Sequence, residues 1–456
     1  MATISSPGIG SGLDVSSIIT QLMAIERQPL KQLETAETKI QSQISEVGKI
    51  KSALSKFRDL SAKLASTDFW KTTTGTSSNS AVGITTSSTA SPAQFEVSVG
   101  TLAKAQTIAA PAVASSTATL GAGTLTIQRA GGGDPFNVTI EATDTLAGIR
   151  DKINAAGAGI TASILNDASG ARLVMRANAT GTDNAFTTTV SGTGLDGLAF
   201  DHVSQTGGAT PAQAATNATA TINNLPVTSQ SNTLTDVLDG VTLTLNAETA
   251  APVTVDVKSD KDALKKTLTD FAAAYTDLAK LIATGTKYDA AAKKAGPLQG
   301  DSAIVGLQTQ LRAMVGASSG ASTAFSRLSD IGMEMQQDGS LTVNSTKLDK
   351  ALANLGEIRA LFSNSSLTDP SLDGFGKRFR VVASNILGID GSLTSRTDGL
   401  NEKLKRNQKQ QDRLEERLAQ TQKRLEKQYT ALDTQLGKLN GLSSYVTQQV
   451  AIWNKA

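Results

Sequence analysis

Apolar residues recur with a helical period at both ends of this 456-residue chain and with a period of two through its middle. The switch predicts helix, then strand, then helix again. Asp14 or Ser16 can cap a first helix by accepting from free N–H groups of its opening turn, and Ile18, Ile19, Leu22 and Ile25 then form one apolar face. Pro29 has no amide hydrogen and crowds the preceding turn, so a kink or break is expected there. Beyond it Leu33, Ile40, Val47 and Leu54 stand seven apart, with Ala36, Ile50, Phe57 and Leu64 near the complementary positions. This is an a/d seam over four heptads.

A second heptad helix is predicted from near Asp398 to about Val450. Leu404, Leu418, Leu425, Leu432, Leu439 and Val446 share one seven-residue series, broken only by Gln411. The companion series has Leu400 and Leu414 but also Asn407 and Thr421, and then shifts by one to Tyr429, Leu436 and Val450, which implies a discontinuity in the seam. A fifty-residue helix would be ~75 Å long, more than one compact domain needs. Two readings stay open for these stripes: a helical hairpin within the chain, or helices ordered on assembly with partners. Each buried Leu or Ile contributes about 1.5–3 kcal/mol, against about 1–2 kcal/mol per residue for fixing backbone. A lone pair of such helices should therefore be marginal, and Gly437 and Gly441 lower its helicity further.

Between the ends, residues 72–92 carry no charge and many turn formers, marking a linker or the start of a domain. Alternating stretches follow: Phe95, Val97, Val99; Leu125, Ile127; Phe136, Val138, Ile140; Ile164 near Leu173 and Met175; Val241, Leu243, Leu245; Val253, Val255, Val257. With Thr at many intervening sites they read as half-buried antiparallel strands. The stretch from Phe136 parallels that from Leu225: strand, polar turn, Thr-Leu, then a short helix or turn. That suggests two related β units, with chance as the competing explanation of so short a match. The helical period returns at Leu264, Leu268, Phe271, Tyr275, Leu278 and Ile282. A helix capped at Asp301 or Ser302, a hairpin turning at Asp338-Gly339 and a helix around Leu348, Leu352, Ile358 and Leu361 complete the prediction.

Composition narrows the function. The length suits two to four domains. With 43 Lys+Arg against 41 Asp+Glu the net charge is +2, which gives no reason to expect nucleic acid or an acidic membrane as partner. Residues 72–130 hold only Glu96, Lys104 and Arg129 as charges, whereas 398–427 hold nine basic and six acidic residues. The first stretch is a neutral β region and the second a solvated helix. There is no cysteine and one histidine, which excludes disulfides and thiolate chemistry and makes metal or acid–base catalysis a poor fit. His202 reads as a satisfied loop histidine, Gly131-Gly132-Gly133 as a hairpin tip, and the closely spaced glycines of residues 8–12 as a loop without the strand that a dinucleotide site requires. The N-x-S/T triplets at Asn137, Asn178, Asn217, Asn344 and Asn364 are ordinary for a Ser/Thr-rich chain. No cofactor, metal or catalytic set is expected. The first twenty residues lack a secretory signal pattern and no apolar run reaches ~18 residues, so a soluble protein is expected, leaving the cell, if it does, by a route without a cleaved Sec-type signal.

Several motifs in order resemble one family: GIGSGLDVSSIITQLMAIERQPLKQLE at the start, FEVSVGTLAKAQ, TLAGIRDKINAAGAGITASILND, GPLQGDS, the stretch from SDIGMEMQQDGSLTV to EIRALF, and the C-terminal heptad helix. Together they are similar to the bacterial flagellar filament-cap family, also called flagellar hook-associated protein 2, over nearly the whole chain. The resemblance implies an exported structural protein that forms a homo-oligomeric ring at the filament tip, pentamers being favoured and other small rings known. There it would retain emerging flagellin and promote its polymerisation, sit beyond the hook–filament junction protein, and travel by the flagellar type III route with a chaperone on its C-terminal helix. Some members attach to host mucin. A junction protein, a filament subunit and an adhesin are the alternatives.

The implied fold is α+β and multidomain, with terminal long helices forming a coiled-coil-like leg, a helical domain, and two inserted antiparallel β-rich domains. The expected boundaries are 1–40 with 400–456 for the terminal assembly region, 41–77 with 259–399 for the helical leg, 78–107 with 215–258 for the β plate, and 108–214 for the inserted outer domain. The expected assembly surface is Ile18, Ile19, Leu22 and Ile25 with Leu404, Leu414, Leu418, Leu425, Leu432, Leu436 and Leu439.

Overall fold

The computed structural model of the chain describes residues 14–291 and 293–454, so the glycines of residues 8–12 lie outside the described residues. In chain order the helices are α1 Val15–Glu26, α2 Gln28–Ala65, α3 Leu146–Ala155, α4 Lys261–Thr286, α5 Ser302–Gly316, α6 Ser345–Ala351, α7 Leu355–Ser363, α8 Phe375–Leu387 and α9 Ser392–Trp453. The chain divides into a helical unit, up to Thr67 and from Lys265 onward, and a β unit, Asp68–Leu264.

In the helical unit, Asp14 caps α1 by accepting from Ser17 N–H at 2.9 Å. The expected break falls at Arg27, between α1 and α2, because Pro29 is tolerated in the opening turn of α2, where its missing N–H has no helical partner to lose. A cluster of aromatic rings lies within the largely aliphatic core of the unit. Phe57 of α2 lies with ring centroids 4.9 Å from Phe271 and 5.9 Å from Tyr275 of α4, and 5.2 Å from Phe379 of α8. Phe271 in turn meets Phe379 at 5.5 Å and Phe362 of α7 at 6.0 Å, mostly edge to face, the arrangement that ring quadrupoles favour. Gly339 turns the hairpin of Met333–Met335 and Leu341–Val343 at φ +83°, as Asp338-Gly339 predicts.

Three expectations need correction here, and one helix is new. The C-terminal helix starts at Ser392, not near Asp398, since Leu393 is already buried. The helix around Leu348 to Leu361 is two helices, because Asn354 takes a non-helical φ of −111° between α6 and α7. Asp301 stands at the N-cap of α5 without capping it, its carboxylate being taken by Arg396 Nε at 2.5 Å. Helix α8, with Phe375, Phe379, Ala383 and Ile386 buried along one face, is absent from the sequence reading.

The β unit has two separate apolar cores. One belongs to a flanking module built from the chain on either side of an insertion. Its five-stranded sheet runs Thr73–Ser77, Val253–Ser259, Ala93–Thr101, Ala218–Ile222, Leu225–Ser229, and a three-stranded sheet runs Thr233–Leu238, Val241–Leu245, Val82–Thr86. Val97, Val99, Leu243, Val255 and Val257 fill its core, the inward members of the alternation. The inserted module has a five-stranded sheet around Phe186–Thr193 and Ala122–Arg129, and a four-stranded sheet around Gly170–Ala177 on which α3 packs. Ile108, Leu125, Ile127, Ile149, Leu173 and Phe186 form its core. The strand pairings described are antiparallel.

The apparent internal repeat is not a structural one. After Phe136–Ile140, Thr145 accepts from Gly148 N–H and starts α3, whereas after Leu225–Ser229 the matching Thr-Leu opens strand Thr233–Leu238. That strand has a helix-like spacing of apolar residues but is held by pairing with Val241–Leu245 across a turn at Gly240, φ +69°. Gly132 and Gly133 take φ +90° and +98° at a hairpin tip, and His202 Nδ1 is bonded to Thr187 Oγ1 at 2.7 Å.

Candidate assembly surface

Helix α9 is built from 62 residues, or about 93 Å at helical rise. It runs antiparallel to α2: Lys51 Nζ donates to Thr394 Oγ1 at 3.3 Å, while Glu37, more than three turns earlier on α2, meets Gln408 and Gln411. Leu393, Leu400, Leu414 and Leu418 are the buried leucines of α9, and Leu414 and Leu418 pack with residues of α1 and α2.

The polar gap in the seam is a bonded layer. Asn407 is 8% exposed, and its Oδ1 accepts from Gln411 Nε2 at 2.6 Å. The same amide donates to Glu37 Oε2 at 2.7 Å, and Gln408 Nε2 donates to Glu37 Oε1 at 3.2 Å. A buried amide satisfied in only one register penalises slippage of the two helices. The bonds from Gln411 and Gln408 hold the Glu37 carboxyl below its ordinary value of 4.5, outweighing a slight desolvation that works the other way. With the folded pKa depressed, this contribution is complete above pH 4.5 and is lost as pH falls through the folded value. Melting of Glu37→Gln, followed by circular dichroism, should therefore lie below that of the parent at neutral pH, with the difference closing on acidification. A difference constant with pH would detach Glu37 from the seam.

Of the expected surface, Ile19, Leu414, Leu418 and Leu425 come together in one small cluster with Met23, Leu30 and Leu33. Ile18, Leu22, Leu404 and Leu436 are half-buried, and Ile25 points to solvent. Met23 and Leu30 are cluster members that the sequence reading missed; Met23, 5% exposed, stands four residues after Ile19 on the same face. The seven-residue series then runs out of cover: Leu418 is 5% exposed, Leu425 half-buried, Leu432 42% and Leu439 59% exposed. Val446 and Trp453 continue it at 51% and 84%, flanked by exposed Leu442, Tyr445, Val450 and Ile452. The exposed apolar residues thus follow one another at heptad spacing along a continuous helix instead of being scattered singly.

Fold and surface thus define a structural assembly protein, with antiparallel β modules in one unit and, in the other, a longest helix whose heptad series is exposed from Leu432 onward among the described residues. The chain matches the family profiles described as flagellar hook-associated protein 2 N-terminus over residues 11–106 and C-terminus over 215–441, with a flagellin hook IN motif at 124–179. Flagellar hook-associated protein 2 of Escherichia coli is 33% identical over 470 residues, 98% of either chain, and that of Salmonella typhimurium is 32% identical over 474 residues, 100% of either chain. The crystal structure of the flagellar cap protein FliD from Escherichia coli superposes with a TM-score of 0.66 at 32% identity, covering 78% of this chain and 99% of that one. The chain belongs to the flagellar hook-associated protein 2 family, and its role is that of a flagellar cap. No helix among the described residues is long and apolar enough to cross a membrane.

Proposed function

We propose that this chain assembles with copies of itself into a ring at the distal, extracellular end of the flagellar filament, where it retains exported flagellin and guides it into the growing end. The observation that carries this reading is the exposed end of the α9 heptad series, where Leu432, Leu439, Val446 and Trp453 all stand open among the described residues. Such a stripe is ordered by neighbours, and copies of the same chain offer the same heptads. Ile18, Ile19, Leu22 and Ile25 with Leu404, Leu414, Leu418, Leu425, Leu432, Leu436 and Leu439 form the surface. The terminal helices then serve as legs, with the helical unit above them and the two β modules as a plate, the strand Thr73–Ser77 going with the plate because it pairs with Val253–Ser259. A pentamer is the favoured ring. Marginal terminal helices suit export in an unfolded state, a chaperone covering the α9 stripe beforehand, and ordering at the tip beside flagellin and above the junction protein. The role is structural and requires no catalytic group.

A deletion strain is expected to leak flagellin monomers into the medium and to carry short or missing filaments, both reversed by the intact gene. Normal filaments in the deletion strain would overturn the cap assignment. Filaments of normal length with lost attachment to mucin would instead make the chain an adhesin.

A further inference from the structure

The two modules of the β unit share no apolar core. Buried apolar residues of the flanking module stop at Ala103 and resume at Ala218, while those of the inserted module run from Ala105 to Ala209. What joins them covalently is a pair of segments, residues 101–107 and 213–218, bridged at Lys104 and Thr216 by backbone bonds of 2.9 and 3.2 Å. A two-stranded ribbon of this kind is weak and free to bend by itself. Side-chain amides pin its ends. Asn232 bonds both backbone groups of Ala103, at 2.7 and 2.9 Å, and Gln106, 1% exposed, does the same to Phe186, at 2.6 and 3.0 Å.

A second contact lies beside the ribbon. Residues 180–184 of the inserted module meet Asn217, where the ribbon enters the flanking module, and Gln230 of the flanking module itself. Thr180 Oγ1 donates to the Gln230 carbonyl at 2.7 Å, Asp183 N–H to Gln230 Oε1 at 3.1 Å, and Thr182 donates its N–H and hydroxyl to Asn217 Oδ1 at 2.7 and 3.1 Å. Gly181 N–H reaches the Lys104 carbonyl at 3.1 Å, tying the loop to the ribbon as well. The approach is close enough to exclude a side chain at Gly181. A Cβ there would stand 2.0 Å from Gln230 Oε1 and 2.7 Å from its Cα, at a φ of +95° that favours glycine in any case.

We propose that residues 180–184 and Gln230, with Asn217, form a latch that holds the two β modules as one rigid plate, and that without it the ribbon at Lys104 and Thr216 is a hinge. The latch is polar and partly solvated, so releasing it leaves both apolar cores intact. It rests on the geometry of the β unit alone and does not depend on how the cap contacts its neighbours.

The absence of cysteine makes the test direct. Spin labels at Asn166→Cys in the inserted module and Glu248→Cys in the flanking module, both exposed in the parent, are read by pulsed dipolar spectroscopy on the full chain. The latched chain should give one narrow distance distribution. Asn217→Ala/Gln230→Ala, which removes the side-chain acceptors, and Gly181→Ala, which wedges the loop away, should each broaden it at least twofold. Amide protection in Phe186–Thr193 and Val253–Ser259 should stay at the parent level in both. An unchanged narrow distribution in the double variant, with that protection intact, overturns the latch. So does broadening that appears only together with loss of protection in either core, since the coupling would then be a matter of folding.

Discussion

Replacing Leu432 and Leu439 with Asp is expected to leave the isolated chain as helical and as heat-resistant as the parent, and to abolish ring formation and filament capping. Both residues are exposed in the chain, at 42% and 59%, so a carboxylate there can keep contact with water. In an assembled seam the same positions would be desolvated, and an unpaired carboxylate in such a place costs several kcal/mol. Two per subunit, repeated around a ring, exceed what an assembly with a polar-gapped seam can absorb. Leu414→Asp/Leu418→Asp should behave in the opposite way. Those residues are 9% and 5% exposed inside the cluster with Met23, so the charges strike the chain's own hairpin and helix melting falls before any assembly is attempted. The checks are circular dichroism, light scattering of the purified oligomer and complementation of a deletion strain. Trp453 gives a third readout: it is 84% exposed whereas Trp70, the other tryptophan, is 5% exposed, so assembly should shift tryptophan emission to the blue in the parent and not in Leu432→Asp/Leu439→Asp. Rings and motility that survive the outer pair would remove the tail of α9 from the assembly surface.

That contrast marks where the sequence is legible. The heptads of α2 and α9 are readable because leucine returns every seventh residue over many turns, and the β strands because Val and Thr alternate between turn residues. Where the seam stops being covered is not a local property. Leu418 and Leu439 occupy the same heptad series, yet Leu418 is buried in the cluster with Met23 and Leu30 while Leu439 is exposed. The bond of Gln411 to Glu37 is equally invisible, since it joins residues 374 positions apart. Helix α8 is missed for a different reason: it is short, follows the turn-rich stretch of residues 364–374, and carries Lys377, Arg378 and Arg380 among its four apolar anchors. The strand Thr233–Leu238 is misread because a Thr-Leu pair caps or pairs according to what lies beside it in space. The family motifs remained readable throughout because each is a local string.

The helical unit depends on one aromatic junction more than on any seam, and Phe271→Ala is expected to be the most damaging single truncation in it. Phe271 is fully buried and contacts Phe57, Phe362 and Phe379, so its ring joins α2, α4, α7 and α8 at one point. Removing a buried phenylalanine costs about 3–5 kcal/mol, the loss of transfer energy plus the cavity left behind. At 1.4 kcal/mol per decade this is a fall in amide protection of roughly a hundredfold to a thousandfold in α4, α7 and α8, measurable by hydrogen exchange. Strands Ala93–Thr101 and Phe186–Thr193, whose cores contain no part of the junction, should keep their protection. The tip of α9 should also be unaffected, because Leu442 to Trp453 are already solvated and exchange from an open helix. A uniform loss across both units would mean that the chain opens as a single cooperative whole. Protection unchanged in α7 and α8 would mean that Leu361, Phe362 and Phe375 hold those helices without the Phe271 ring, and the junction would lose its central place.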